Sequence, residues 1–213
     1  MKSINLHLVV AGATYFNQLD RFQGWSGTPL TPAGQQASLK VGHQLGQLPL
    51  TTAFASDTSR SVQTGRAVLT AATQENVELQ ALSDLRAPFF GGFEGLERAA
   101  VWSGFATKLG YGSLATFAAD QTPSELQTLL HDHDSAGLAE SGAEFWQRYV
   151  RGLQTVFTAT PDHGHALVIV DSSSMRALLY RATGEQPHQA DLAASAVATL
   201  TYDGDNLQPL SEA

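Results

Sequence analysis

The sequence predicts an α/β fold, a three-layer α/β/α sandwich in which helices cover both faces of a mostly parallel central sheet. Three observations carry that expectation. Two short, predominantly apolar runs, Ile4–Val10 and 166–170, have the length and composition of central strands of a parallel sheet. Helix-start signals follow the strand candidates in a repeating order, at Thr31-Pro32, at Ser56-Asp57-Thr58 and just after Asp171. Val197–Tyr202 alternates and ends in Asp203-Gly204-Asp205, a hairpin signal leading into a last strand near Leu207. Strands that alternate with helices form a parallel sheet between two helical layers.

Taken in order, Ile4–Val10 is the first central strand. Turn-type residues fill 23–29, after which Thr31 caps a helix with Pro32 at its first position, running to about Leu45. Residues 52–55 form a second strand, and Ser56-Asp57-Thr58 caps a helix reaching about Ala72, with Asp57 as the capping carboxylate. Residues 77–79 are a third short strand. The segment 84–95, with Pro88, Phe89, Phe90, Phe93 and three glycines, reads as an ordered loop whose aromatic rings either wall a cleft or pin the loop to the core. Residues 96–134 are helical but broken by Gly104, Gly110, Gly112 and Pro123, and form an insertion over one end of the sheet. Residues 143–158 carry an apolar stripe at Phe145, Tyr149, Val150, Leu153 and Phe157. A last helix spans 173–183, with a serine of Ser172-Ser173-Ser174 as its cap. The whole of 1–213 reads as one domain without repeats or linkers.

Composition sets the function classes. The chain of 213 residues is long enough for a sizeable core, with 43% apolar and 15% charged residues. A formal net charge of −8 and the lack of a basic run argue against nucleic acid and anionic membrane as partners. There is no cysteine, hence no disulfide, thiol nucleophile or cysteine-type zinc site. No stretch approaches the roughly 20 apolar residues of a membrane span. Residues 1–14 read as a strand and not as a signal peptide, because Asn5 and His7 interrupt the apolar run. The default expectation is a cytoplasmic protein.

Five segments in order resemble the histidine phosphatase superfamily, the phosphoglycerate mutase-like fold. They are the strand and turn from Leu6 through Thr14 to Asn17, the stretch Arg21-Phe22-Gln23-Gly24-Trp25 with Pro29-Leu30-Thr31-Pro32-Ala33-Gly34, the helix start Ser56-Asp57-Thr58-Ser59-Arg60, the loop Leu85-Arg86-Ala87-Pro88-Phe89-Phe90-Gly91-Gly92-Phe93-Glu94-Gly95, and the strand–turn–helix 166–179. The resemblance implies a cleft at the carboxyl edge of the sheet. It also implies a reaction in which one histidine attacks phosphorus, two arginines and a second histidine hold the equatorial oxygens, and a carboxylic acid protonates the leaving group. That reaction needs no metal and no cofactor.

On this sequence those parts are missing. The first-strand arginine position is Val10, the nucleophile position Ala11, the acid position Ala87 and the second-histidine position Asp171. Arg60 alone remains of the cationic set, together with Gly12, Thr14 and Asn17, which would shape the loop or offer hydrogen bonds. Losing a nucleophile alone costs about 10⁶ in rate, and a methyl group forms no phosphoryl intermediate. The resemblance therefore implies a degenerate member with no catalytic residues and a vestigial cleft. Its candidate ligand-binding residues are Arg60, Thr14, Asn17, Asp171 and Arg21, and its partner is a small anion or a protein. Two readings compete with a ligand- or protein-binding pseudoenzyme: an enzyme of changed chemistry using Asp171, Arg60, Thr14 or a serine, and a structural protein whose cleft its own side chains close. Family ancestry alone would still label it a phosphatase or mutase.

Several features carry local expectations. Arg60, left beside a carboxylate in a partly dehydrated cleft, is expected to contact Asp171 within about 4 Å or through one water. An aspartyl-phosphate role for Asp171 would need a Mg²⁺ and a second carboxylate, for which Asp57 is the nearest candidate. Arg21 and Arg86 line the cleft mouth or are solvated. His7 shares a strand face with Ala11 but lies roughly 13 Å back at ~3.3 Å per residue, and reads as a strand histidine with an ordinary partner. His131, His133, His163 and His165 read as solvated loop residues, since neither pair has a third ligand nearby.

Overall fold

The computed structural model describes residues 1–74 and 76–210, the Gln189 side chain excepted. Its strands are β1 (Ile4–Val10), β2 (Leu50–Ala55), β3 (Leu79–Ala81), β4 (His165–Val170), β5 (Val197–Tyr202) and β6 (Leu207–Pro209). They form one sheet in the order β3-β2-β4-β1-β5-β6. The β3-β2-β4-β1 half is parallel, and β5 and β6 continue it as the antiparallel hairpin expected from Asp203-Gly204-Asp205.

Alternation along β1 explains the layers. Ile4, Leu6, Leu8 and Val10 point to one face and pack with Phe54, Val168 and Val170 against α7 (Gly142–Ala159) and α8 (Ser172–Thr183). Val9 and Ala11 point to the other, against α2 (Pro32–Leu45) and α3 (Ser59–Ala71) through Val41, Leu45, Val68 and Leu69. Both faces are therefore covered, as a near-continuous apolar strand requires. The inner residues of α7 are Phe145, Tyr149, Leu153 and Val156, while Val150 and Phe157 of the expected stripe are half-buried.

The insertion contains α4 (Arg98–Lys108), α5 (Leu114–Asp120) and α6 (Pro123–His133). It carries its own cluster of Phe105, Phe117 and Leu130, joined to Phe22 and Phe90 from the loops at the edge of the sheet. A four-residue α1 (Tyr15–Gln18) follows β1. No helix among the described residues is long and apolar enough to cross a membrane.

Local capping follows sequence in part. Thr31 accepts from the Gly34 N–H and Pro32 opens α2, as expected. Three expectations need correction. The third strand lies two residues later than 77–79: β3 is a short edge strand with only Leu79 partly buried, so apolar content marks it poorly. Asp57 does not cap α3, because its carboxylate receives both Nε and an Nη of Arg86 at 2.6 Å; Thr58 is the cap residue, and its hydroxyl bonds those of Ser56 and Ser61 instead of a helix N–H. The cap of α8 is Asp171, not a serine, and its carboxylate is turned away from the helix N–H groups.

Candidate functional site

The carboxyl edge of the parallel strands brings the sequence-predicted residues together. Val10 ends β1 and Ala11 follows it, Arg60 opens α3 after β2, and Asp171 follows β4. This edge is where loops of open α/β sheets collect ligands. Val10, Ala11, Gly12, Asn17, Arg60 and Asp171 share a pocket of about 240 Å³, bordered on its outer side by Arg98, Ser172, Ser173 and Arg176. Ala87 does not line it. It is fully buried one layer behind, where its carbonyl accepts from Trp25 Nε1 and from Arg148, each at 3.1 Å.

Each nitrogen of Arg60 is engaged internally. Its Nε donates to Asp171 Oδ1 at 2.6 Å, one Nη donates to the Ser26 carbonyl at 3.1 Å, and the other donates to the Gly24 carbonyl at 2.7 Å and the Gln23 carbonyl at 3.4 Å. Arg60 is 3% and Asp171 7% exposed, so the pair is cut off from bulk water. The expected contact is thus present and direct. A buried pair of this kind gives little net stability over an apolar pair, but removing one member strands the other's charge. Asp171 Oδ2, Tyr149 Oη and Ser174 Oγ are buried without a hydrogen-bond partner among the described residues. Burial pushes the Tyr149 hydroxyl well above its usual range.

The carbonyls that cradle Arg60 are aimed by Glu94. Its carboxylate accepts from the N–H groups of Gly24 (3.0 Å), Trp25 (2.9 Å), Ser26 (3.3 Å) and Phe90 (3.3 Å), and from the Ser26 hydroxyl. With its N–H groups drawn to Glu94, the 24–26 turn presents its carbonyls to the guanidinium. Gly24 has to be glycine here, because a Cβ would collide with the Pro88 carbonyl and the Glu94 carboxylate. The Trp25 ring stacks on Phe89 at 4.9 Å and lies under the Arg86 guanidinium at 4.7 Å. Of the loop aromatics, Phe90 takes both roles, joining the buried cluster with Phe22 and lining a cavity, while Phe89 lies against Trp25.

The other candidates are placed as follows. Thr14 is fully buried and caps α1 in a reciprocal box with Asn17, and its hydroxyl also meets Gln23 Oε1 at 2.5 Å. Arg21 donates to the Gly95 carbonyl at 2.5 Å and faces a larger neighbouring cavity, not the small pocket. Sequence reasoning missed Glu94, Arg98, Arg148 and Arg176 as parts of the site. Glu94 and Arg148 act on backbone groups some 60–70 residues away, which no local pattern marks.

The histidines divide. His131 and His133 lie in the last turn of α6 and bond backbone carbonyls. His165 corrects the expectation of a solvated loop residue: it opens β4 and bonds His7, Nε2 to Nδ1 at 2.8 Å, with the rings stacked 5.1 Å apart. His7 accordingly has a partner, and Thr199 also reaches its Nδ1 at 3.3 Å. No group of three or more histidine or carboxylate side chains able to hold a metal occurs among the described residues. Burial, and then the nearby His165, lower the His7 pKa from 6.5 to about 4. A depressed folded-state pKa means that stability is complete above pH 6.5 and is lost as pH falls from 6.5 through 4, by roughly 2 kcal/mol. His7→Gln should flatten that acid limb, read as denaturation midpoints between pH 7 and pH 4; an unchanged pH profile would contradict it.

Comparison with known proteins gives the family and the fold. A family described as "Histidine phosphatase superfamily (branch 1)" matches residues 6–211. A 2,3-bisphosphoglycerate-dependent phosphoglycerate mutase of Gloeobacter violaceus is 32% identical over 94 residues, covering 44% of this chain and 43% of that protein. A broad-specificity phosphatase of Saccharomyces cerevisiae is 32% identical over 116 residues, covering 54% of this chain and 50% of that protein. The chain thus spans about half the length, or less, of the curated relatives it matches. Among solved structures, a phosphoglycerate mutase from Bacillus anthracis superposes with a TM-score of 0.89 at 22% identity, over 99% of this chain and 93% of the other. The YhfR protein of Bacillus stearothermophilus does so with a TM-score of 0.73 at 19% identity, over 98% and 96%. At these identities the structural likeness is one of fold.

Proposed function

The chain belongs to the histidine phosphatase superfamily, branch 1, and from that premise we propose that it is a member without phosphoryl transfer, whose remaining cleft binds a ligand or a protein. The observation that carries this reading is the Arg60–Asp171 ion pair at 2.6 Å, between two residues that the resemblance assigns to positions holding phosphate in the family's reaction. An arginine that gives Nε to a carboxylate and both Nη groups to carbonyls has no free fork for a phosphoryl group. Asp171 adds a like charge that a phosphate dianion would meet in a partly dehydrated space. At the nucleophile position, Ala11 supplies only a methyl group, 6% exposed. At the acid position, Ala87 is buried and offers its carbonyl to Trp25 and Arg148.

Changed chemistry in the same cleft has less support. Asp171 is committed to Arg60, and Asp57, the nearest second carboxylate, is held by Arg86 in a two-toothed pair. That pair keeps the Asp57 carboxyl below its usual range, and it is spent outside the pocket. The reading is tested by intact-mass spectrometry after incubation with 2,3-bisphosphoglycerate. The expected spectrum is that of the unmodified chain, and a phosphoryl adduct on any residue of the cleft would defeat the reading.

A further inference from the structure

A second cavity, of about 880 Å³, opens beside the small pocket and shares Asn17, Gln23, Arg98, Ser172, Ser173 and Arg176 with it. Its volume lies within the roughly 300–1,000 Å³ of small-molecule sites. It is elongated. One end lies at Asn17, past the end of β1, and the other at Tyr202, which pairs with Ile4 at the start of the same strand. A seven-residue strand spans about 20 Å at ~3.3 Å per residue. The walls are aromatic for much of that length, with Phe22, Phe90, Trp102, Phe117, Phe145 and Trp146.

Charge on this cavity opposes that of the chain. Arg21, Arg98, Arg176 and Arg181 line it, four of the twelve basic residues in a chain of net charge −8, against the single carboxylate of Asp205. Arg21, Arg176 and Arg181 have no carboxylate within 4 Å among the described residues, and Arg98 reaches only Asp20, at 3.9 Å. Arg181 instead lies over the Trp146 ring at 3.8 Å. Arg176 is half-buried and bonds only the Gln186 amide oxygen at 3.2 Å. Burial and then Arg98 lower its pKa, so its charge is held without a counter-ion. Asp205 sits at the Tyr202 end, while Arg98 and Arg176 sit at the junction with the small pocket. The two ends therefore differ in sign.

We propose that this cavity binds an amphipathic organic monoanion, an extended apolar chain ending in a carboxylate, with the head group on Arg98 and Arg176 and the chain along the aromatic wall. The proposal rests on the reading that the cleft binds and does not transfer phosphate, and it names the ligand class. A carboxylate suits the junction better than a phosphate, since the adjoining pocket carries the Asp171 carboxylate. The apolar wall gives the chain a place that a free inorganic anion would leave unused.

Dodecanoate, kept below its micelle concentration, is the probe, and quenching of Trp102 and Trp146 is the signal, assigned with Trp102→Phe and Trp146→Phe. Saturable binding is expected, tightening roughly fourfold per added methylene from octanoate to dodecanoate. Dodecanol should bind at least tenfold more weakly, and inorganic phosphate should not compete. Arg176→Gln should weaken dodecanoate by about tenfold or more, the worth of a charge-assisted hydrogen bond, and leave dodecanol unchanged. Arg98→Gln, on the exposed face of α4, gives the same result if Arg176→Gln does not fold. Dodecanol binding as tightly as dodecanoate, an affinity indifferent to chain length, competition by phosphate or no saturable binding would each overturn the proposal. Phosphoryl transfer by the protein would defeat the reading of the previous subsection while leaving dodecanoate binding intact, and a failure to bind dodecanoate would do the reverse.

Discussion

Asp171→Ala lowers the stability of the fold by about 3 kcal/mol and creates a phosphate site. The carboxylate oxygen 2.6 Å from Arg60 Nε is the one full negative charge on that guanidinium, and both residues are buried. Removing one member of such a pair costs about 3–5 kcal/mol. The lower end applies because three carbonyls from the 23–26 turn remain on the Nη groups. For a chain of this length the melting temperature falls by about 6–12 °C. The same change frees the Arg60 Nε at the start of α8, whose N–H groups Asp171 does not cap in the wild type. A helix N-terminus beside an unpaired arginine accepts an oxyanion. Phosphate should therefore raise the melting temperature of Asp171→Ala in proportion to log concentration, that of Asp171→His further, and that of the wild type little. Equal phosphate response in all three would show that Asp171 does not guard the pocket.

Arg148→Ala costs about 3–5 kcal/mol for a different reason. Arg148 is 9% exposed, and all its N–H groups are placed: Nε and one Nη form a fork on Glu140 at 2.7 Å each, while the Nη groups also reach the carbonyls of Asp84 (2.8 Å), Arg86 (3.0 Å) and Ala87 (3.1 Å). Its loss leaves a mostly buried Glu140 and three carbonyls of the 84–87 turn without their donor. Arg148→Lys should recover less than half of the loss, because one ammonium cannot reproduce the planar fork. Arg151→Ala, one turn farther on and paired with Asp84 at 3.4 Å in the open, should cost at most about 1 kcal/mol. Urea midpoints order the three variants. Similar losses at Arg148 and Arg151 would mean that the fork does not hold the turn.

The layers were legible because strands buried on both faces are predominantly apolar, as in Ile4–Val10, where Asn5 and His7 are the polar residues, and in 166–170. The contact between Arg60 and Asp171 was legible for a comparable reason: two opposite charges left in one dry cleft have few other partners. What failed was local capping. Asp57 and Asp171 both stand where a carboxylate caps a helix, yet each is taken by an arginine distant in sequence, Arg86 and Arg60, because a guanidinium offers a charge that a backbone N–H lacks. The edge strand β3 was displaced in the reading because a strand paired on one side only needs little apolar content. Glu94 stands in the 84–95 loop, but it holds a turn 68–70 residues earlier, and only the tertiary structure shows that. Arg176 and Arg98 acquire meaning from the cavity they share, which has no sequence signature.

The measurement closest to the central claim is steady-state hydrolysis of p-nitrophenyl phosphate by the wild-type chain and by Arg60→Ala, in the presence of a metal chelator. Loss of a nucleophile alone removes about 10⁶ in rate, and on the proposed reading the acid and one arginine are absent too. The expected rate is that of the buffer for both proteins. Turnover by the wild type that Arg60→Ala abolishes would contradict the account, since it would show Arg60 serving a phosphoryl group that the ion pair with Asp171 is held to exclude.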